Sequence, residues 1–316
     1  YNTAVGSSAL DANTTAGNNT AMGYNSLGAN TTGSSNTSVG SLSMQINTVG
    51  SNLTGVGVRS LDNNTTGNNN TAIGVQALRY NSTGSNNVAI GLGALVTNTT
   101  ASNNTAVGYQ ALYAEDTESS LVAVGYQAMY NNNSGIRNTA VGYQALESNV
   151  SGGSNTACGY EALVNNTADG NSGFGNDALR NNTSGEKNTA LGNEALENNT
   201  TASFNTAVGH HSLTSNTTGA ANTAVGNQAL EDNTTGENNT AVGHNALLNS
   251  TSNENCAFGS QALATQSTST GRKNNAFGYY ALKSNTTGEQ NCAFGSYALQ
   301  NNTTANENCA FGGSVL

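Results

Sequence analysis

Apolar and small residues recur at every seventeenth position along this chain. The glycine of the Ala-Val-Gly triplets anchors each repeat, and only three steps between anchors differ, two of them shorter by one position and one longer by two. The anchors are Gly6, Gly23, Gly40, Gly57, Gly74, Gly91, Gly108, Gly125, Gly142, Gly159, Gly175, Gly192, Gly209, Gly226, Gly243, Gly259, Gly278, Gly295 and Gly312. Helical repeats need about thirty residues or more, whereas short units with strand-like alternation are typical of β-solenoids. The sequence therefore predicts an all-β fold, a parallel β-solenoid (β-roll) of about nineteen coils.

The columns of the repeat predict which side chains are buried. The fourth residue after the anchor is apolar in every coil, from Leu10 to Leu316, and we expect it to form a core stack. The residue before the anchor is Val, Ile, Met, Leu, Phe or Cys, and we expect a second core column there. The intervening Ala, Ser or Gly would then face outward, because side chains alternate along a strand. Its small size suggests a close neighbour on the outer face, such as a second chain.

Glycine and asparagine predict the corners of each coil. The anchor glycine is expected to supply positive φ between a first strand and a second strand that carries Ala-Leu. The Asn-Thr-Thr-Gly segment is expected to form the next corner, since Asn and Gly tolerate left-handed backbone. Asparagine also recurs four residues before the anchor in seventeen of nineteen coils, from Asn2 to Asn308. Such amides, stacked in register, are expected to hydrogen-bond to one another along the axis.

Composition and charge narrow the function classes. A net charge of −10 with eight Lys and Arg argues against nucleic-acid binding, which depends on basic residues. No run of 18 apolar residues is present, so no membrane insertion is expected. We expect one continuous solenoid domain over residues 1–316 without a recognisable cap. Because both ends fall inside the repeat, the chain is expected to be a segment of a longer protein or to stack end to end.

Two stretches carry a resemblance to a known family. The text NNVAIGLGAL, from Asn86 to Leu95, and the text LVAVGYQAM, from Leu121 to Met129, resemble the head repeats of trimeric autotransporter adhesins. The whole repeat is also similar to repeats of bacteriophage tail-fibre-like and bacterial surface proteins. The adhesin resemblance implies a left-handed parallel β-roll, three chains side by side and a role in attachment, although the coils here are longer.

Catalytic chemistry is not indicated. The sequence contains no Ser-His-Asp arrangement and no calcium-binding pattern, so we expect no enzyme activity, no cofactor and no metal. The neighbours His210 and His211 are expected to point to opposite faces of a strand. Cys292 and Cys309 share one column and lie within disulfide range, but in-register side chains favour small buried thiols instead, as for Cys158. A tyrosine column after the anchor, from Tyr109 to Tyr160, is open to two interpretations, sugar binding or packing between like residues.

Sequons for N-glycosylation recur at the predicted corner. On exposed turns of a secreted eukaryotic protein they would accept glycans, whereas Asn and Thr also occur together simply because both form turns. The candidates are Asn13, Asn30, Asn64, Asn81, Asn98, Asn132, Asn149, Asn182, Asn199, Asn216, Asn233, Asn285 and Asn302.

The sequence thus favours a structural role over a catalytic one. We expect an extracellular fibre or filament component at a cell or virion surface, with an adhesive or presenting role. Its expected partners are copies of itself, arranged laterally or end to end, and surface glycans. An ice-binding solenoid is the alternative, although consecutive Thr-Thr pairs should point in opposite directions rather than form one Thr-x-Thr face.

Overall fold

The fold is described from a computed structural model over residues 1–114, 117–266 and 270–315. The predicted core position Leu316 therefore lies outside the described residues. The chain forms two compact units, Tyr1–Asn155 and Thr156–Leu316. One continuous domain over residues 1–316 stays a prediction.

Each strand is three residues long and ends directly before an anchor glycine. The first unit contains β1 (Thr3–Val5), β2 (Thr20–Met22), β3 (Thr37–Val39), β4 (Thr54–Val56), β5 (Thr71–Ile73), β6 (Val88–Ile90), β7 (Thr105–Val107), β8 (Val122–Val124) and β9 (Thr139–Val141). The second unit contains β10 (Thr156–Cys158), β11 (Ser172–Phe174), β12 (Thr189–Leu191), β13 (Thr206–Val208), β14 (Thr223–Val225), β15 (Thr240–Val242), β16 (Cys256–Phe258), β17 (Asn275–Phe277), β18 (Cys292–Phe294) and β19 (Cys309–Phe311).

Successive strands within each unit pair in parallel and in register. In the first unit Thr54 pairs with Thr71, its equivalent in the next coil. In the second unit the same column pairs across the longer step, where Cys256 lies opposite Asn275. Register is thus kept at the strands even where coil length changes. The predicted all-β parallel β-solenoid with a repeat of about 17 residues is confirmed, with about 18 turns.

The leucine column forms the core as predicted. Leu61, Leu78 and Leu95 are fully buried, and the alanine preceding the leucine in most coils, such as Ala77, is buried with it. Burying a leucine side chain contributes roughly 1.5–3 kcal/mol, repeated at each coil. These columns therefore supply the apolar part of the interior.

The prediction for the strand faces was wrong. The middle residue is buried in every strand from β2 to β19, and Ala72 and Ala89 are fully buried. The residues that flank it point outward, and Ile73 and Ile90 retain 39% and 37% of their exposure. Alternation along the strand holds, but the two faces are the reverse of those expected.

The narrow interior explains the small residues in the middle of the strands. A Cβ built on Gly55 would lie 2.8 Å from Cε of Met44 and 2.9 Å from Oγ of Ser43. At Gly173 the nearest side chain is that of Leu163, at 3.3 Å. The column therefore faces the leucine column across the interior. Its size limit comes from packing within one chain and needs no neighbouring chain.

A run of turns replaces the predicted second strand. Arg59 and Leu61 have φ values of 57° and 51°, and the same left-handed conformation recurs at these two positions in successive coils. A left-handed conformation costs a non-glycine residue roughly 1–2 kcal/mol. Hydrogen bonds between coils offset this cost, since Arg59 N–H donates to the Ser41 carbonyl and Leu61 N–H to the Ala77 carbonyl, both at 3.1 Å. Bonds to the coil before and the coil after thus alternate along the segment.

The anchor glycines have the predicted positive φ. Gly74 has a φ of 135°, and a Cβ there would lie 2.5 Å from the carbonyl oxygen of Gly91 in the next coil. Glycine is required both by the backbone conformation and by the close approach of the coils.

Candidate functional site

Asparagine side chains form hydrogen-bonded ladders inside the corner of the coil, with the Oδ1 atoms of Asn98 and Asn149 left without a partner. Asn64 Nδ2 donates to Asn47 Oδ1 at 2.8 Å and to the carbonyl of Gly67 at 3.0 Å. The same amide-to-amide bond joins Asn30 to Asn13, Asn47 to Asn30, Asn81 to Asn64, Asn98 to Asn81, Asn149 to Asn132, Asn182 to Asn166, Asn199 to Asn182, Asn216 to Asn199, Asn233 to Asn216 and Asn302 to Asn285. Stacked amides thus satisfy one another from coil to coil.

These ladders contain the sequon asparagines. Asn13 and Asn302 are half-buried. The others are buried, namely Asn30, Asn64, Asn81, Asn98, Asn132, Asn149, Asn182, Asn199, Asn216, Asn233 and Asn285. The expectation that they lie on exposed turns is therefore wrong. Their amide nitrogens act as donors in the ladders, so a glycan on Nδ2 would have no room beside the neighbouring amide. Glycosylation of these asparagines stays a prediction.

A second asparagine ladder lies four residues before the anchor. Here Oδ1 of one coil accepts the backbone N–H of the next, as Asn36 does from Leu53 at 2.9 Å. The amide nitrogen of Asn36 donates to the Gly50 carbonyl at 2.8 Å. The predicted amide-to-amide bonding is confirmed only in part, as between Asn239 Nδ2 and Asn222 Oδ1 at 3.1 Å, and most of the bonds along the axis join a side chain to the backbone. Leucine is tolerated in this column at Leu53 because its backbone N–H still donates to Oδ1 of Asn36 in the preceding coil.

The outer face of the strands carries one apolar column before the anchor glycines and one mixed column after them. The mixed column is aliphatic or tyrosine from Val58 to Tyr160 and mostly Asn, His or Ser from Asn176 onward. We define the outward stripe as the residue before each anchor glycine together with the residue after it. In the first unit Ile73 and Val75 are 39% and 43% exposed, and Ile90 and Leu92 are 37% and 48% exposed. Neither column contains Lys, Arg, Asp or Glu at any of its positions in the sequence. Contiguous apolar surface of this kind typically marks an interaction site.

Aromatic residues in the stripe stack on one another. Tyr109, Tyr126 and Tyr143 have ring centroids 5.2 and 5.0 Å apart with nearly parallel planes. In the second unit the rings of Phe258, Phe277, Phe294 and Phe311 lie 4.6–5.1 Å apart. Because the faces of the inner rings are covered by their neighbours, the geometry favours packing between like residues over stacking against sugars.

His211 lies between two carboxylates. Its Nε2 is 2.9 Å from Glu194 Oε2, and its Nδ1 is 3.2 Å from Glu231 Oε1. The rings of His210 and His211 stack at 3.9 Å, so the expectation of opposite faces was wrong. The reason is that this segment is a turn, with a φ of 56° at His211, and strand alternation does not apply. Across residues 1–114, 117–266 and 270–315 no group of three or more His, Cys, Asp or Glu could hold a metal ion.

The cysteines are free thiols, as expected, but they are not buried. Cys158 and Cys309 are exposed, and Cys256 and Cys292 are half-buried. Cys158 belongs to the outward stripe, and the other three occupy the first strand position, which also points outward. The expectation of buried thiols was wrong because it followed from the reversed strand faces.

The outward stripe was missed at the sequence level, although a signal for it exists. The residue before the anchor varies in volume from Val to Phe, whereas the middle strand residue is always Ala, Ser or Gly. A close-packed interior tolerates little change in volume. The column that varies in size therefore belongs outside, and the invariably small one belongs inside.

No protein-family model matches the chain, and no curated protein shows a significant match to it. Within the described part of the chain no helix is long and apolar enough to cross a membrane.

Proposed function

We propose that this chain is a structural component of an extracellular fibre or filament, whose copies associate laterally through the outward stripe and present a regular surface for attachment. The observation that carries the proposal is the stripe itself. Its column before the anchor glycines exposes aliphatic or aromatic side chains at successive coils, apart from Cys158, and the whole stripe lacks carboxylates, lysine and arginine. Leaving such surface in water is unfavourable by roughly 25 cal/mol per Å² of apolar area.

A second copy of this chain suits the stripe because the side chains of both copies repeat at the same interval along the sheet. Each coil adds one rung to the stripe, at the strand separation of about 4.8 Å. Another copy of this chain has rungs at the same interval, so side chains can interdigitate over many coils without loss of register. The resemblance to trimeric adhesin heads supports three chains side by side and a location at a cell or virion surface.

The oligomeric state tests the lateral association. Light scattering coupled to size-exclusion chromatography should show wild-type oligomers, and the double variant Ile73→Asp, Ile90→Asp should be a monomer with an unchanged circular dichroism spectrum. Thr66→Asp is the matched control, since Thr66 is exposed outside the stripe. A wild-type monomer at high concentration would contradict lateral association.

Labelling of intact source material tests the location. Antibodies against the chain should decorate the outside of unbroken cells or particles, and external protease should remove the label. Label that appears only after lysis would contradict a surface fibre.

An ice-binding solenoid is the second candidate, and the strand orientation favours it. The first and third residues of β5, Thr71 and Ile73, both point outward, which gives a Thr-x-aliphatic array on a parallel sheet. An ice recrystallisation assay on monomeric protein tests this function. Inhibition that is lost in Ile73→Asp, Ile90→Asp would support it, and no inhibition by wild type would exclude it.

A further inference from the structure

Two cysteines lie directly over one another on the outer face of the second unit. Cys292 in β18 pairs in register with Cys309 in β19. Neighbouring strands are about 4.8 Å apart, so the two thiols leave the sheet side by side at about that separation. Cys309 is exposed and Cys292 is half-buried.

This separation suits a bridged pair of sulfurs better than a disulfide. A disulfide needs the sulfurs about 2.05 Å apart and the two Cβ atoms about 3.8 Å apart. Two sulfur–metal bonds of about 2.3 Å each, placed end to end, span about 4.6 Å. That span is close to the strand separation, so a metal ion with two opposed ligands fits between the thiolates without moving the backbone.

We propose that Cys292 and Cys309 form a binding site for one soft monovalent metal ion, Cu(I), held between the two thiolates. Thiolates are soft ligands that select Cu(I) over harder cations. The site needs only two ligands, so the lack of a larger ligand cluster in the described residues does not bear on it. It lies within one chain and does not depend on lateral association.

Aromatic side chains lie on the same outer face as the thiols. Phe294 and Phe311, two residues further along the same strands, stack at 5.0 Å.

Binding exchanges protons for the metal. Two thiols and one Cu(I) give a bis-thiolate complex with one negative charge and release two protons, with no change of oxidation state. Because the protons compete with the metal, the apparent affinity should increase with pH.

The chain provides a matched control in Cys256. Cys256 occupies the same column, but its in-register neighbours are Thr240 and Asn275. Threonine is the usual residue of this column, so Cys→Thr substitutions are compatible with the fold. The same substitution thus removes one thiol of the pair in Cys292→Thr and Cys309→Thr, whereas Cys256→Thr leaves both thiols of the pair in place.

The experiment is an anaerobic competition for Cu(I) between the reduced full-length chain and a chromogenic Cu(I) chelator. Wild type and Cys256→Thr should each take up one tightly held ion, with two sulfur neighbours in X-ray absorption. Cys292→Thr and Cys309→Thr should each lose affinity by at least about tenfold.

Three results would overturn the proposal. The first is that Cys292→Thr binds Cu(I) as tightly as wild type. The second is that Cys256→Thr loses as much Cu(I) affinity as Cys292→Thr does. The third is that the reduced protein takes up no Cu(I) and that mild oxidation lowers its mass by two hydrogens. The last result would identify the pair as a disulfide instead.

Discussion

Asn64 and Asn47, one coil apart, are joined by a hydrogen bond of 2.8 Å from Asn64 Nδ2 to Asn47 Oδ1. Both side chains are fully buried. A buried amide group that lacks a partner costs roughly 1–3 kcal/mol, so each asparagine within a ladder stabilises its neighbours in the adjacent coils. The interior of this solenoid is thus polar at its corner and apolar beneath the strands, and both parts depend on the register.

Removal of one rung should destabilise the first unit. Asn64→Ala leaves Asn47 Oδ1 without its donor and leaves Asn81 Nδ2 with only the Gly84 carbonyl as acceptor, at an expected cost of about 1–3 kcal/mol. The midpoint of urea unfolding measures the loss. Asn63→Ala, at a half-buried neighbour, should change stability by less than about 0.5 kcal/mol, and an equal effect of both would contradict the ladder.

The strand faces are tested by a pair of truncations. Leu78→Ala removes a fully buried side chain and should cost about 2–5 kcal/mol. Ile73→Ala, on the outward stripe, should cost much less when the protein is kept monomeric by dilution. A larger effect at Ile73 than at Leu78 would restore the originally expected orientation.

Overpacking probes the inward column directly. Ala72→Val adds two methyl groups at a fully buried position that faces the leucine column, and should cost about 1–3 kcal/mol. Thermal unfolding monitored by circular dichroism measures the change. Thr71→Val, next to it on the outer face, is the control and matches the residue found at Val88, so it should be nearly neutral.

Two neighbouring glycines should respond differently to substitution. Gly91 has a φ of 132°, and a Cβ there would lie 2.2 Å from the carbonyl oxygen of Gly108. Gly93 has a φ of 64° and only side-chain atoms beyond 3.4 Å around its Cβ position. We expect Gly91→Ala to prevent stacking of the adjacent coils, whereas Gly93→Gln should fold, because Gln76 and Gln110 occupy the equivalent position. Soluble yield and urea midpoints of the two variants provide the comparison.

The carboxyl group of Asp62 should make stability fall as pH rises. Burial raises the pKa of Asp62 above its ordinary value of 3.8, and the charges of Arg59 and Arg79 offset this only in part. The folded state therefore holds the proton more tightly than the unfolded state. The resulting stabilisation is complete below the unfolded pKa and is lost as pH rises through the folded pKa.

Asp62→Asn should remove this contribution. The urea midpoint of each protein is measured at about pH 3 and at about pH 6. Relative to wild type, the variant should lose less stability, or gain more, as the pH rises between these two values. Asp11→Asn is the control, since Asp11 is exposed at the equivalent position of the first coil. An unchanged pH dependence in Asp62→Asn would show that the folded pKa is not raised.

The sequence by itself determined the repeat, the parallel register, the leucine core and the glycine corners. Each follows from a local requirement that recurs in every coil, such as the positive φ at Gly74 or the buried apolar side chain at Leu78. Periodicity alone is enough to place equivalent residues over one another, because each strand pairs with the equivalent strand of the next coil even where the connecting segments differ in length.

Only the tertiary structure decided which way each column faces. Alternation is the same whether Ala72 or Ile73 points inward, and the choice depends on the width of the interior across from Leu78. The corner amides of Asn30 and Asn64 were likewise expected at the surface, since local preference does not reveal that stacked amides can satisfy one another inside. Inward and outward are properties of the closed coil, because they depend on what lies across from a residue rather than on what lies beside it in the chain.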